Sequence, residues 1–203
     1  MTPYQLLERA VHRTAEAVRG RTPTGRTHDD ADDVVGTLAT DGALGYDPRP
    51  LLASLHRAGA RVVIIGQVAG ILHGSAELTG DLDLLWDGDP RHAPAMAAGF
   101  ATAGAELADD DGRPVPCGPE SFLLPKVVFE APGASGDSCT PALPWGSLKV
   151  EDYLGRALRL ESPDGWSVGY LRPEDLIAMR RAVGRPKDLR RAAELEALLA
   201  EAR

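Results

Sequence analysis

The 203-residue chain carries a formal charge of −8, so its surface as a whole is not built to coat nucleic acid, although a local basic site is compatible with it. Its two cysteines, Cys117 and Cys139, lie far apart without CxxC spacing, which argues against a structural zinc or disulfide framework and fits a reducing cytoplasm. No apolar run approaches the ~20 residues that cross a bilayer, and the amphipathic start MTPYQLLERAVHRTAEAVRG lacks the apolar core of a signal peptide, so the expectation is a cytoplasmic protein with no membrane partner.

In chain order, Tyr4 to Val18 places Leu6, Leu7, Ala10, Val11, Ala15 and Val18 at helical spacing and predicts a helix. Residues 19–47 are rich in Gly, Thr and Asp and read as loop, with one short helix over Asp33 to Leu38. The DDADD cluster from Asp29 to Asp33 reads as a solvated acidic face. Pro50 to Ala58 predicts a short helix closed by Gly59, and RVVIIG a buried strand ending in Gly66. Val68 to His73 is the next helix, and DLDLLW, residues 81 to 86, the second strand. A helix over Pro90 to Ala103 and a weak strand over Ala105 to Ala108 follow. SFLLPKVVFE, from Ser121 to Glu130, is the third clear strand, with Pro125 suggesting an edge or a bulge. Residues 131–147 read as Gly/Pro/Ser-rich loop, and 148–160 and 166–171 as further strand or helix. Pro173 and Pro186 each open a helix, with Gly184 between them, so residues 173–201 form a helical hairpin. The chain therefore reads as an N-terminal helix and loop extension over 1–47, then one α/β domain over 48–203.

The chemistry centres on Asp81 and Asp83. On a strand, residues i and i+2 share a face, so the two carboxylates stand together with Cα atoms ~6.5–7 Å apart. At that spacing they can converge on one Mg²⁺ through oxygens at ~2.0–2.1 Å. At a solvated strand end the same pair would simply sit in water. Upstream, the glycine that ends RVVIIG lets a phosphate approach the following helix N-terminus closely. Strand, glycine, helix, strand and DxD together place a triphosphate cradle beside a metal site, the arrangement suited to nucleotidyl transfer.

IGQVAGILHGSAELTGDLDLL resembles the core motif of the DNA polymerase beta-like nucleotidyltransferase superfamily: a hydrophobic residue, G-[G/S], a spacer, then D-h-[D/E]-h. His73-Gly74, Thr79 and the Asp81–Leu84 run, followed by DLIAMRRAVGRPKD from Asp175 to Asp188, resemble in particular its abortive-infection (AbiEii-like) branch. The two motifs frame residues 50–200. The resemblance implies a nucleotidyltransferase fold, α/β (α+β), with a small mixed sheet flanked by helices. It implies Mg²⁺ or Mn²⁺ on Asp81 and Asp83, both catalytic, and an NTP substrate whose triphosphate faces Gly66 and Gln67. Arg185 and Lys187 would reach the phosphates or the acceptor, with Lys187 counted among the catalytic residues. The branch further implies a tRNA or protein acceptor and a neighbouring antitoxin.

The pattern is departed from at three places. Gln67 stands where the second small residue belongs, and Glu77 and Gly80 occupy spacer positions that are often basic. The strand expected to bring a third carboxylate offers Lys126, Val127 and Val128, leaving Glu130 as its only acid and the candidate third ligand. The expected function is a metal-dependent nucleotidyltransferase; the alternative is a catalytically impaired nucleotide-binding or regulatory protein on the same fold. His73 reads as a packed or capping histidine, Trp145 and Trp166 as core or interface residues, and Arg180, Arg181, Arg190 and Arg191 as a solvated helix surface.

Overall fold

In the computed structural model, which describes residues 1–27, 30–31, 36–142 and 150–201, the β-branched run becomes strand β1 (Val62–Ile64), every side chain of it buried. It pairs antiparallel with β2 (Leu84–Trp86), also fully buried, in the register Val62↔Trp86, Val63↔Leu85 and Ile64↔Leu84. Six further strands join: β3 (Glu106–Ala108), β4 (Pro114–Val115), β5 (Lys126–Ala131), β6 (Ala134–Cys139), β7 (Leu158–Glu161) and β8 (Ser167–Tyr170). The resulting sheet is mixed, in the order β4-β3-β5-β6-β2-β1-β8-β7, with β1 parallel to β8 and β2 parallel to β6.

The sheet is larger than the small one expected, for a physical reason. Pro114–Val115 and Ala134–Cys139 carry no alternating large apolar side chains, the usual mark of a strand, yet both take ladder hydrogen bonds from a neighbour. Residues 134–139 therefore form strand where loop was expected. Pro125 lies just before β5, which runs inside the sheet between β3 and β6 and is no edge strand. Residues 121–123 form a 3₁₀ turn ahead of it.

Seven helices are present among the described residues: α1 (Pro3–Ala17), α2 (Arg49–Arg57), α3 (Gly66–Leu72), α4 (Ala93–Thr102), α5 (Val150–Arg156), α6 (Pro173–Val183) and α7 (Pro186–Glu201). Thr2 and Gln5 cap α1 reciprocally, side chain to backbone in both directions. α1 buries Leu7, Ala10 and Thr14 and packs on α3 and β7. α2 and α4 cross closely, and the Ser54 hydroxyl donates to Gly99 O at 2.7 Å. Phe100 of α4 stacks on Phe122 and Phe129, each with ring centroids 5.0 Å away, so α4 covers the Val127–Phe129–Ala131 face of β5. By strand alternation Lys126, Val128 and Glu130 point to the opposite face. Asp175 of α6 is buried and accepts two hydrogen bonds from Arg156 of α5, which ties the hairpin to that helix.

The N-terminal 47 residues share this core: Leu7 and Tyr46 belong to the same apolar cluster as β1 and β2. Of the expected helix over 33–38, residues 33–35 lie outside the described residues, and Gly36–Ala39 form a 3₁₀ turn. Most of the DDADD cluster, Trp145, and residues 148–149 also lie outside them. Trp166 packs in the core, edge-on to Tyr4. Among the described residues no helix is long and apolar enough to cross a membrane.

Candidate active site

The site begins where β1 ends. The Ile65 N–H donates to Asp83 O at 2.9 Å, and the chain then turns into α3 through Gly66 at φ +61°. A Cβ on Gly66 would lie 1.9 Å from Asp83 Oδ2. Glycine is thus required twice over, by its left-handed backbone and by the carboxylate packed against its Cα.

Asp81 and Asp83 stand on the extended approach to β2, whose ladder starts at Leu84. The approach is still fixed on both sides, by Ile65 and by the Leu82 N–H, which donates to Ser135 O at 2.8 Å. Leu82 is fully buried and Asp81 is 8 % exposed. The Thr37 hydroxyl donates to Asp81 Oδ1 at 3.0 Å, and the Thr79 hydroxyl donates to the same oxygen. The Tyr46 hydroxyl donates to Asp81 O at 3.0 Å. Burial pushes the Tyr46 phenol well above its ordinary range, and the charges of Asp81, Asp83 and Asp47 add to that, so it stays a donor.

A third carboxylate comes from β6. That strand runs parallel to β2 with Leu84 opposite Ser138, so one step back places Asp137 opposite Asp83 on the same face. The approach is close because residue 136 is glycine: a Cβ there would lie 2.2 Å from Leu82 O. Asp81, Asp83 and Asp137 line one cavity of about 570 Å³, within the ~300–1,000 Å³ usual for small-molecule sites. Glu130, the expected third acid, is exposed; it pairs across the ladder with Glu106 and Ser135 and lines a separate groove beside β3 and β4. Sequence reasoning missed Asp137, although Pro132-Gly133 between two short runs is a hairpin signal.

Two more groups shape this floor. Lys126 Nζ lies 2.5 Å from Asp110 Oδ1 and 4.0 Å from Asp137 Oδ2. Burial works to lower the Lys126 ammonium, but its Asp110 hydrogen bond and the charges of Asp137 and Asp110 hold it above the usual lysine range. Cys139 is buried in the same cavity wall. Burial, followed by the charges of Asp137 and Asp83, pushes its thiol far up, so it is protonated at neutral pH.

The other wall is the α6–α7 hairpin. Arg180, expected on a solvated surface, is 4 % exposed and donates to Gly66 O at 3.2 Å, Gln67 Oε1 at 2.9 Å and Arg191 O at 2.9 Å. Burial, with Arg191 nearby, brings its guanidinium down to about 10, which still leaves it charged. Gln67, expected to face a triphosphate, lines the cavity, and its amide is held in place: Nε2 donates to Ser75 Oγ at 3.0 Å and Glu77 O at 2.9 Å. Glu77 in turn accepts from Arg191 Nε at 2.9 Å and Nη2 at 2.5 Å. An acid at that spacer position therefore serves to dock α7. Arg185, Lys187 and Asp188 line the cavity at the turn, and Arg185 Nε donates to Asp188 Oδ2 at 2.6 Å. Leu176, Met179 and Val183 give the same wall an apolar strip. His73 lies apart from the carboxylates, its Nε2–H donating to Leu171 O at 2.8 Å and its ring against Tyr170.

The structure thus brings Gly66, Gln67, Asp81, Asp83, Arg185 and Lys187 around one cavity, adds Asp137, Thr37 and Lys126, and leaves Glu130 outside. Among the described residues no three His, Cys, Asp or Glu side chains stand as a ready-made metal cage. The donor set itself, carboxylate oxygens opposite cationic side chains, has the hardness that suits a magnesium-type cation with phosphate. Comparison with protein-family models finds no match, and comparison with curated proteins finds no relative.

Proposed function

We propose that the chain is a metal-dependent nucleotidyltransferase of the DNA polymerase beta-like type, moving NMP from an NTP to a hydroxyl of RNA, protein or a small molecule. The observation that carries the reading is Asp137, a third carboxylate set opposite Asp83 in a cavity whose far wall is cationic and apolar. It supports the catalytic reading over the impaired one, which drew on the lack of an acid at Lys126–Val128 of the expected strand. A toxin-like role with a tRNA or protein acceptor and an antitoxin partner rests on the sequence resemblance.

In this reading Asp81 and Asp83 hold Mg²⁺ or Mn²⁺, which when bound neutralises triphosphate charge and polarises the reacting phosphoryl group. Arg185 and Lys187 bind the phosphates through charge-assisted hydrogen bonds. Leu176, Met179 and Val183 offer an apolar surface for the base. Asp137 accepts the proton of the acceptor hydroxyl as its oxygen bonds the α-phosphorus and the bond to pyrophosphate breaks. Gly66 keeps room for the Asp83 carboxylate, and Arg180 fixes the turn through Gly66 O.

Calorimetry with each NTP, in Mg²⁺ and in Mn²⁺, on wild type, Asp83→Asn and Asp137→Asn tests the proposal. Wild type should bind, Asp83→Asn should lose binding, and Asp137→Asn should bind but release pyrophosphate at least ~100-fold more slowly, as expected for a general base. Absence of nucleotide binding by wild type with either metal overturns the reading.

A further inference from the structure

The segment before residue 47, outside the reach of the sequence resemblance, supplies a hydroxyl to the acidic floor. Thr37 is 9 % exposed and sits on a 3₁₀ turn, Gly36–Ala39. That turn is anchored independently of the site. Arg21 donates to Leu38 O at 2.6 Å and to Thr40 O, and the Thr40 hydroxyl donates to Thr37 O at 2.7 Å.

From this anchored position the Thr37 hydroxyl meets three groups. It donates to Asp81 Oδ1 at 3.0 Å, lies 2.8 Å from Thr79 Oγ1, and accepts the Gly80 N–H at 3.1 Å. The Thr79 hydroxyl converges on the same Asp81 oxygen. Thr79 could hold that carboxylate only through a torsion of its own short segment. Thr37 comes from a distant, separately fixed part of the chain, so it locks the carboxylate plane against the rest of the fold. Hydrogen-bonded partners behind a ligating carboxylate set its orientation, and removing one typically costs ~10–100-fold in metal affinity.

We infer that Thr37 is a positioning residue for Asp81: it fixes one carboxylate oxygen, so that the carboxylate is presented to a divalent cation in a set orientation. The inference rests on the metal-dependent reading above, and it makes the N-terminal segment part of the site. Thr37 touches no reacting atom; it acts through Asp81.

The test is Mn²⁺ affinity, read from the electron paramagnetic resonance of free Mn²⁺ without nucleotide. The proteins are wild type, Thr37→Val, Thr37→Ser, Thr14→Val and Asp83→Asn. Thr14 is a buried threonine of the same network whose hydroxyl reaches Thr79 O at 3.5 Å and bonds neither carboxylate oxygen of Asp81, so it controls for buried-hydroxyl loss. Thr37→Val should weaken Mn²⁺ binding ~10–100-fold, with Thr37→Ser within about threefold of wild type and Thr14→Val unchanged. Should Thr37→Val not fold, Thr37→Ala against Thr37→Ser gives the same comparison. The inference is overturned if Thr37→Val binds like wild type, or if Thr14→Val weakens binding equally, while Asp83→Asn abolishes it. If wild type binds no Mn²⁺, the metal-dependent reading falls and this inference with it.

Discussion

Within the α6–α7 hairpin, Arg180 is almost fully buried and directs its guanidinium at two backbone carbonyls and an amide, whereas Arg185 keeps 57 % of its side chain in solvent at the cavity mouth. One motif, DLIAMRRAVGRPKD, supplies both. Arg180 belongs to the architecture: it joins the Gly66 turn to α7, so the hairpin and the floor cannot move independently. Arg185, in the turn between the two helices, is held by Asp188 in the first turn of α7 and keeps its guanidinium at the cavity mouth. The same residue type is therefore a buried strut in one place and a solvent-facing cation lining the cavity in the other, and burial separates the two.

That contrast is broken most directly by Arg180→Met. Loss of a charged donor to three buried acceptors should cost about 3 kcal/mol, lowering the melting temperature by roughly 6–12 °C and nucleotide binding with it. Thermal denaturation followed by circular dichroism measures the first, calorimetry the second. Gly66→Ala strikes the turn that Arg180 holds. The new methyl must displace the Asp83 carboxylate and adopt a left-handed backbone, at about 1–3 kcal/mol, and Mn²⁺ affinity should fall out of proportion to stability. Arg185→Ala should do the least to the fold, within about 1 kcal/mol, while weakening NTP binding ~10-fold at low salt and less as salt is raised. An Arg185→Ala protein as unstable as Arg180→Met would erase the distinction.

How much of this was legible follows from where each signal resides. RVVIIG, the Asp81–Asp83 pair and the Pro173 and Pro186 helix starts appear because their signals are local: β-branched runs, period-two spacing, helix-opening prolines. Asp137 was hidden because its strand, ASGDSC, faces the cavity on one side and the Leu82 backbone on the other. Neither face takes the large apolar residues that betray a strand. The burial of Arg180 and of Gln67 was hidden for another reason. Charged and amide side chains on helices read as surface by default, and only tertiary contacts place them inside. Thr37 lies in a polar stretch that looks like loop, and its partner Asp81 is 44 positions along the chain.

Cys139 gives the molecule a clock of its own. Its thiol is 4 % exposed, protonated, and sits on the strand that carries Asp137, between β2 and β5, opposite Leu85 and Lys126. A thiol reagent reaches it when the cavity wall around it opens. Its modification rate in native buffer therefore counts spontaneous openings of the acidic floor, and any ion or nucleotide that knits the floor together will slow that count.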